Sequence, residues 1–522
     1  MSLARNTLVQ SLFTMLSRLL GYARDRAISN MIGAGWIGDA FITAQMFPNL
    51  FRRILAEGAF SQAFVPLYAK VRQERTHEEA EIMASDAFSV LTLVSTILTI
   101  VMQVTMPWII FVIHHGQANH KEAFDLAVLL TQITMPYLIG MAISSLFAGI
   151  LNTASKFALS AAAPTLLNIC ILFAVIFTHD PKQAALNAAV AISIAGILQA
   201  AMLYYGCKRL GVSIGFRVPR LTNDVKTILK VMGPAVIAGS ATQINVIVSQ
   251  SLSSSEVGAK SWLNAADRLY QLPLGLIGVA IGVALLPRIA SAIANKDNKD
   301  DDIKAINEGL VLSMSLTLPA AIALLIIPYF LMYGFWAGGK FSAQDCMNTA
   351  NALFNYAWGV PAFVLIRIFA PPFFARQDSK SPMMFAIAGV IANVVVGASL
   401  FYWMHKTNQT GYIGLSIGTS VAAWVNTILL ISVLYKRGWW RMEKWVVDKL
   451  SKVLMASVVM VGYLFVARYF QDDIIGWFKF LKIGGKELAV LLVSLIGFAI
   501  YLGAAIVFKA LTVADLKAAV KK

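Results

Sequence analysis

The sequence predicts an all-α, polytopic membrane protein with about fourteen transmembrane helices. Two compositional observations and one pattern predict it. Apolar residues make up 58% of the 522 positions and charged residues only 13%, against about 45–50% and about 25% in soluble domains. A soluble surface cannot be built from so few charges, and so apolar a chain cannot stay disordered. Mean hydropathy is +0.70. The pattern is a succession of apolar runs of about 18 residues or more separated by short polar breaks.

In order, the runs fall near 6–30, 36–69, 86–113, 124–151, 158–178, 185–206, 227–252, 260–288, 306–333, 349–375, 382–404, 412–435, 450–469 and 486–508. The first follows Arg5 and superficially resembles a secretory signal. Arg18, Arg24, Asp25 and Arg26 interrupt it and no small-residue cleavage site precedes them, so it reads as a retained first helix. The longest breaks, near 207–226, 289–305 and 436–449, are too short for a soluble domain. Trp439, Trp440 and Trp445, set among basic residues, make 436–452 a candidate interfacial helix.

Orientation follows from the loops. Alternate breaks carry about 24 lysines and arginines on one side and about 8 on the other. The lysine-and-arginine-rich side is cytoplasmic by this rule, and the even span count puts both termini there. Lys260 is counted among the few on the outer side. The excess of 43 basic over 27 acidic residues is explained by this asymmetry, so no nucleic-acid partner is expected.

A weak internal repeat is visible. Asp39 precedes Pro48 by nine residues, and Asn264 precedes Pro273 by nine, at an offset of 225. The same offset carries Asn168 onto Asn393, and Ser155–Lys156 maps onto Ser379–Lys380 at 224. Spans 1–6 and 7–12 therefore read as two copies of like orientation. The predicted divisions are 1–206, 207–435 with a cytoplasmic linker at 207–226, and 436–522 with an interfacial segment, two further spans and a tail.

The informative residues are charges inside spans: Arg18, Arg24, Asp25 and Arg26 in the first, Asp39, Arg52, Arg53 and Glu57 in the second, Asp267 and Arg268 in the eighth, and Arg367 in the tenth. Each Arg or Asp at bilayer centre costs about 2.5–3.5 kcal/mol. Arg18 and Asp25, seven apart, share a helix face, and Arg53 and Glu57 are placed to pair. Positive charge remains in surplus, which points to a hydrated cationic cavity for an anion; arginine suits phosphate through its planar donors. Structural pairing or snorkelling is the competing account for Arg26, Arg53 and Arg367.

Kinking prolines punctuate the same helices, among them Pro48, Pro66, Pro136 and Pro273. The sequence has no Walker loop and no HExxH. Three cysteines form no CxxC, His114, His115 and His120 share one loop, and neither cofactor nor metal is expected. Transport would draw on an ion gradient, the membrane potential or the substrate gradient; Asp25, Asp39, Glu57 and Asp267 are the coupling candidates.

Particular stretches resemble a known family. RLLGYARD (18–25), GDAF (38–41), FPNLFRR (47–53), EGAFSQAFVP (57–66), AAPTLLN (162–168), AADRLYQLPLG (265–275) and APPFFARQDSKSP (370–382) are similar to the MurJ (MviN) lipid II flippases. The resemblance runs over essentially the whole chain. It implies the multidrug/oligosaccharidyl-lipid/polysaccharide exporter fold: two six-helix lobes around a central cavity, with two extra helices offering a groove for an undecaprenyl tail. It implies flipping of lipid-linked peptidoglycan precursor across a bacterial inner membrane, with lipid II as partner alongside membrane lipids and cell-wall synthesis proteins. The family's cavity arginines match Arg18, Arg24, Arg52 and Arg268, and its acidic partners Asp25, Asp39 and Asp267; Glu57 joins them from the span pattern. Arg53 and Asn49 are second-tier candidates. The chain departs from some members at Met46, where they carry a basic residue, and at Gln271, where they carry an acid. An exporter of another lipid-linked oligosaccharide or a drug, a membrane enzyme acting on polyprenyl phosphates, and a non-transporting scaffold are the alternatives.

Overall fold

Helix boundaries follow local chemistry. The structure, a computed structural model, describes residues 3–53, 60–117, 120–294, 300–407, 409–478, 480–481 and 484–510. Among them the only β feature is an isolated antiparallel bridge between Gly338 and Phe341. The first nine helices are α1 (Leu3–Ile32), α2 (Trp36–Phe51), α3 (Phe60–Glu74), α4 (His77–Ile113), α5 (Lys121–Thr134), α6 (Tyr137–Thr153), α7 (Phe157–Ile176), α8 (Pro181–Arg209) and α9 (Asn223–Ser253). Then come α10 (Ala259–Pro273), a π-helical turn at Leu274–Gly278, α11 (Val279–Ala294), α12 (Asp301–Ile326), α13 (Pro328–Trp336), α14 (Ala343–Ala357), α15 (Val360–Phe369) and α16 (Pro371–Ala375). The chain closes with α17 (Lys380–Lys406), α18 (Tyr412–Lys436), α19 (Lys444–Tyr469), α20 (Gln471–Trp477) and α21 (Gly485–Val507).

Polar side chains start the helices. Thr76 and Glu79 form a reciprocal capping box on α4, and Ser342 and Asp345 do the same on α14. Asp180 accepts from the Gln183 amide at 2.8 Å ahead of Pro181, opening α8. Such caps satisfy amides that have no partner inside the helix.

Ten helical segments among the described residues are long and apolar enough to cross a membrane, with α5–α6 and α14–α16 each counted as one. The described residues of the remaining four predicted spans are largely helical as well, in α1, α2 and α3, α9, and α10 and α11. For those four the reading as membrane crossings rests on sequence.

By packing, the chain divides into two compact units, Met1–Ser261 with Gly338–Phe341, and Trp262–Ala337 with Ser342–Lys522. In the first unit, α9 packs against α3 and α4. Ile228 is buried in one cluster with Tyr68, Leu203 and Cys207, Val225 is buried as well, and Asp224 pairs with Arg75 at 2.8 Å. α6 and α8 cross where a Cβ on Gly140 would lie 2.4 Å from the Gly196 backbone, the close approach typical of small residues in membrane bundles. In the second unit, α17 and α18 meet the same way at Gly397 and Gly418.

Local geometry repeats between the two halves of the sequence. Left-handed residues stand at Gly33 and Gly258, at Ser155 and Gln377, and at Gly211 and Gly438. These pairs are 225, 222 and 227 positions apart. The last two pairs each lie two residues beyond a helix end, and the following amide bonds back five residues: Lys156 to Leu151, Asp378 to Phe373, Val212 to Cys207 and Trp439 to Leu434. This is the Schellman geometry.

One expectation is corrected here. Residues 437–443 are a connector rather than an interfacial helix, because Gly438 at φ +66° ends α18. Trp440 is buried, crosses Phe369 edge-on, and donates to Asn307 at 2.8 Å. Trp439 lies between the Arg376 and Arg437 guanidinium groups, each 4.7 Å from its ring. Arg376 is paired with Asp302, and Arg437 with Asp378 at 2.6 Å. The connector is pinned to the ends of α12 and α17.

Candidate functional site

In the first unit the predicted site residues of α1 separate into held and exposed groups. Arg24 is largely buried and its guanidinium is fixed from two sides. Its Nε and Nη2 donate to Asp25 Oδ1 at 3.0 and 2.6 Å, and its Nη1 donates to Asn168 Oδ1 at 2.8 Å. Asn168, on α7, donates in turn to the Ser17 carbonyl at 2.9 Å. The amide packs over Gly21, where a Cβ would sit in ordinary contact 3.6 Å from it. These bonds use three of the five N–H donors of Arg24. Arg18 is exposed. Asp25 pairs with its chain neighbour Arg24 at 2.6 Å. Asn168 went unrecognised as a site residue, although it ends the AAPTLLN stretch.

On α2, Arg52 is half-buried at the helix end, Arg53 and Asn49 are exposed, and Asn49 donates to Gln45 O of its own helix at 3.0 Å. Met46, the position where some relatives are basic, is buried among apolar residues. Glu57 lies outside the described residues.

Asp39 stands apart from that group and is fully buried. Its Oδ1 accepts from the Ser261 amide at 3.1 Å and the Ser261 hydroxyl at 3.0 Å. Its Oδ2 accepts from the Gly258 amide at 2.6 Å and from Gln117 Nε2 at 3.3 Å. Lys260, counted from sequence as a loop residue, is also fully buried. Its ammonium donates to Thr43 Oγ1 at 2.8 Å, Ile113 O at 3.2 Å and His114 Nδ1 at 2.8 Å. Three acceptors thus match three donors. The Thr43 hydroxyl donates in turn to the Asp39 backbone carbonyl at 2.8 Å. Carboxylate and ammonium are each saturated, and together they tie α2, the end of α4 and the start of α10. Nearby, Lys340 N donates to Asn30 O at 2.7 Å, where Gly33, at φ +78°, lets the two backbones touch.

In the second unit, Gln271 donates to Asp267 one turn away. An acid at 271 would instead repel that carboxylate. Arg268 is half-buried, and Tyr270 stacks on Tyr356 with centroids 4.8 Å apart. Trp262 Nε1 donates to Asp345 at 2.9 Å. Among the described residues no cluster of His, Cys, Asp and Glu could hold a metal ion.

Bundled apolar helices with ionisable side chains held inside define a multi-pass membrane protein. Solved structures share the fold, two of them as follows. One, a lipid II flippase MurJ in an inward closed conformation, superposes with a TM-score of 0.78 at 24% identity over 96% of this chain and 98% of that one. The other, an inward-facing multidrug resistance MATE transporter of the MOP superfamily, gives 0.63 at 16% identity over 86% of this chain and 99% of that one. The family model for the lipid II flippase MurJ matches residues 28–483. Among relatives, a probable lipid II flippase MurJ of Rhizobium tropici is 36% identical, covering 91% of this chain and 89% of its own. The lipid II flippase MurJ of Burkholderia cenocepacia is 34% identical over 89% and 90%. A probable lipid II flippase MurJ of Rickettsia prowazekii is 32% identical over 97% of both. The chain belongs to the lipid II flippase MurJ family.

Proposed function

We propose that this protein moves lipid II, the undecaprenyl-pyrophosphate-linked peptidoglycan precursor, from the cytoplasmic to the periplasmic leaflet of a bacterial inner membrane by alternating access. Family membership supports the cargo. The observation that carries the mechanism is Arg24, a guanidinium held inside a bundle by Asp25 and Asn168 with two donors to spare. A cation kept at depth by its own counter-ion and an amide is oriented before any ligand arrives, which suits a diphosphate that must leave water without entering hydrocarbon. Arg18, Arg52 and Arg268 are the other arginines proposed to meet the pyrophosphate, with Asp25, Asp39, Glu57 and Asp267 setting local charge. Spans 1–6 (1–206) and 7–12 (207–435) act as the two moving lobes, and 436–522 supplies the accessory helices.

Basic loops on one side support a cytoplasmic location for both termini. Cell-wall synthesis proteins that consume the flipped precursor are the proposed protein partners. The test is leaflet-resolved measurement of lipid II in cells depleted of this protein. Cytoplasmic-side accumulation, relieved by the wild-type chain but not by Arg24→Ala inserted at the same level, is expected. Unchanged leaflet distribution on depletion overturns the proposal.

A further inference from the structure

The connector between α8 and α9 is a strap laid along α4. Ser213 N donates to Glu81 Oε1 at 2.8 Å, Gly215 N to Ser85 Oγ at 3.3 Å, and Arg217 N to Ser89 Oγ at 2.8 Å. Two residues of extended chain advance about 6.6 Å and four residues of helix about 6 Å, so alternate amides meet side chains one turn apart. Val212 and Ile214 turn inward and are buried. Beyond them the pattern reverses: Phe216 and Val218 are 64% and 71% exposed, and Arg217 and Arg220 are exposed too. Phe216 keeps an edge contact with Phe88 at 6.2 Å. The chain then returns to α9, where Asp224 is bound by Arg75.

The helix beneath the strap measures its depth. On α4 the large exposed apolar side chains are Leu93, Val94, Ile97 and Ile100, and onward to Phe111 and Val112; before Leu93 only Ile82 is exposed. From 93 to 112 the helix spans about 30 Å, the thickness of the hydrocarbon core. Ser89 lies one turn outside that band, about 6 Å away, within the depth of the headgroup layer. Glu81 lies about 18 Å away, in water. The strap therefore climbs from water to the membrane boundary and turns there, presenting two apolar side chains and two arginines.

We propose that residues 216–220 bind the anionic phospholipid headgroups of the leaflet on the side of the α4 N-terminus. Apolar side chains beside arginines at this depth match the interface between acyl chain and phosphate. The lysine-and-arginine asymmetry of the loops assigns that leaflet to the cytoplasm, where anionic lipid attracts basic segments.

The test uses the full chain with a nitroxide at Val218→Cys in a Cys170→Ser background, reconstituted in vesicles of phosphatidylcholine alone or mixed with phosphatidylglycerol. With phosphatidylglycerol, the label is expected in a membrane-bound spectral component, accessible to oxygen and shielded from a water-soluble nickel chelate. Arg217→Gln is expected to lower the bound-to-free ratio about five-fold, and Arg217→Gln with Arg220→Gln more than about twenty-fold. Added salt should lower it as well. A label equally open to the nickel chelate in both vesicles overturns the proposal. So does equal burial in both lipids with no effect of the arginines, which would leave an apolar contact alone. Shielding that requires added soluble protein overturns it in favour of a protein partner.

Discussion

The ammonium of Lys260 lies 2.8 Å from Nδ1 of His114. Two cations cannot share that distance in a buried site, so His114 accepts with a neutral ring. Through Thr43 the same ammonium is linked to the backbone of Asp39 in the first turn of α2. A lysine that seems to belong to a loop is thus the buried counter-charge of a carboxylate at the head of α2.

Removing either charge leaves the other buried alone. Lys260→Met is expected to lower stability by about 3–5 kcal/mol, as is usual when one member of a buried ionic network is lost. Asp39→Asn added to Lys260→Met should cost less than the two changes summed. Thermal unfolding of the four purified forms in one detergent checks this, and strict additivity would refute the coupling.

The proposed role of Arg24 depends on the placing of its donors as well as on charge, since one guanidinium reaches both Asp25 and Asn168. Arg24→Lys cannot bond Asp25 and Asn168 together, so it is expected to fail in transport nearly as fully as Arg24→Ala. Asn168→Ala removes one bond to a charged group, a loss of about 1.5–3 kcal/mol in positioning, or roughly 10- to 100-fold in flipping rate. A leaflet assay on reconstituted protein measures each, with insertion level as the control.

Gly33 occupies φ +78°, and a Cβ there would meet Lys340 O at 2.8 Å. Gly33→Ala should cost at least about 1–2 kcal/mol from backbone strain alone. Gly35, with nothing within 4 Å of its Cβ position, should accept alanine with little change. Comparing the two melting temperatures isolates the contact.

Asp378 lies outside the spans. Hydrogen bonds from the Ser381 hydroxyl and amide, then from Arg437, hold its carboxyl down at about 2. A carboxyl lowered in the folded state contributes fully above its unfolded value and loses that contribution as pH falls toward the folded one. The stability gap between wild type and Asp378→Asn should therefore stay constant from neutral pH to about 4 and shrink only below it. Thermal melts across that range read it directly.

Much of this was legible because membrane solvation acts locally. A run of apolar side chains declares a span without reference to its neighbours, and Thr76 with Glu79 or Asp180 with Pro181 declares a helix start. Arginines inside spans were equally visible as costly. Their partners were not: Asn168 lies 144 positions from Arg24, and no spacing rule joins them. Lys260 was misplaced because hydropathy reports the average of a window and cannot see that one side chain folds back under a helix end. The interfacial helix expected around Trp439 failed for a related reason: tryptophan beside arginine fits a lipid boundary and a stacked protein contact equally well.

Residues 338–341 belong to the first unit, although the chain on both sides of them belongs to the second. The first unit is therefore discontinuous, and no single cut releases it whole. A fragment ending at 222 would lack α9, the lysine that saturates Thr43 and His114, and the tetrapeptide that caps Asn30. Breaking the connector between α8 and α9 would leave two pieces still interlaced by backbone bonds, so a nicked chain should migrate as one particle while an expressed first half should not fold by itself.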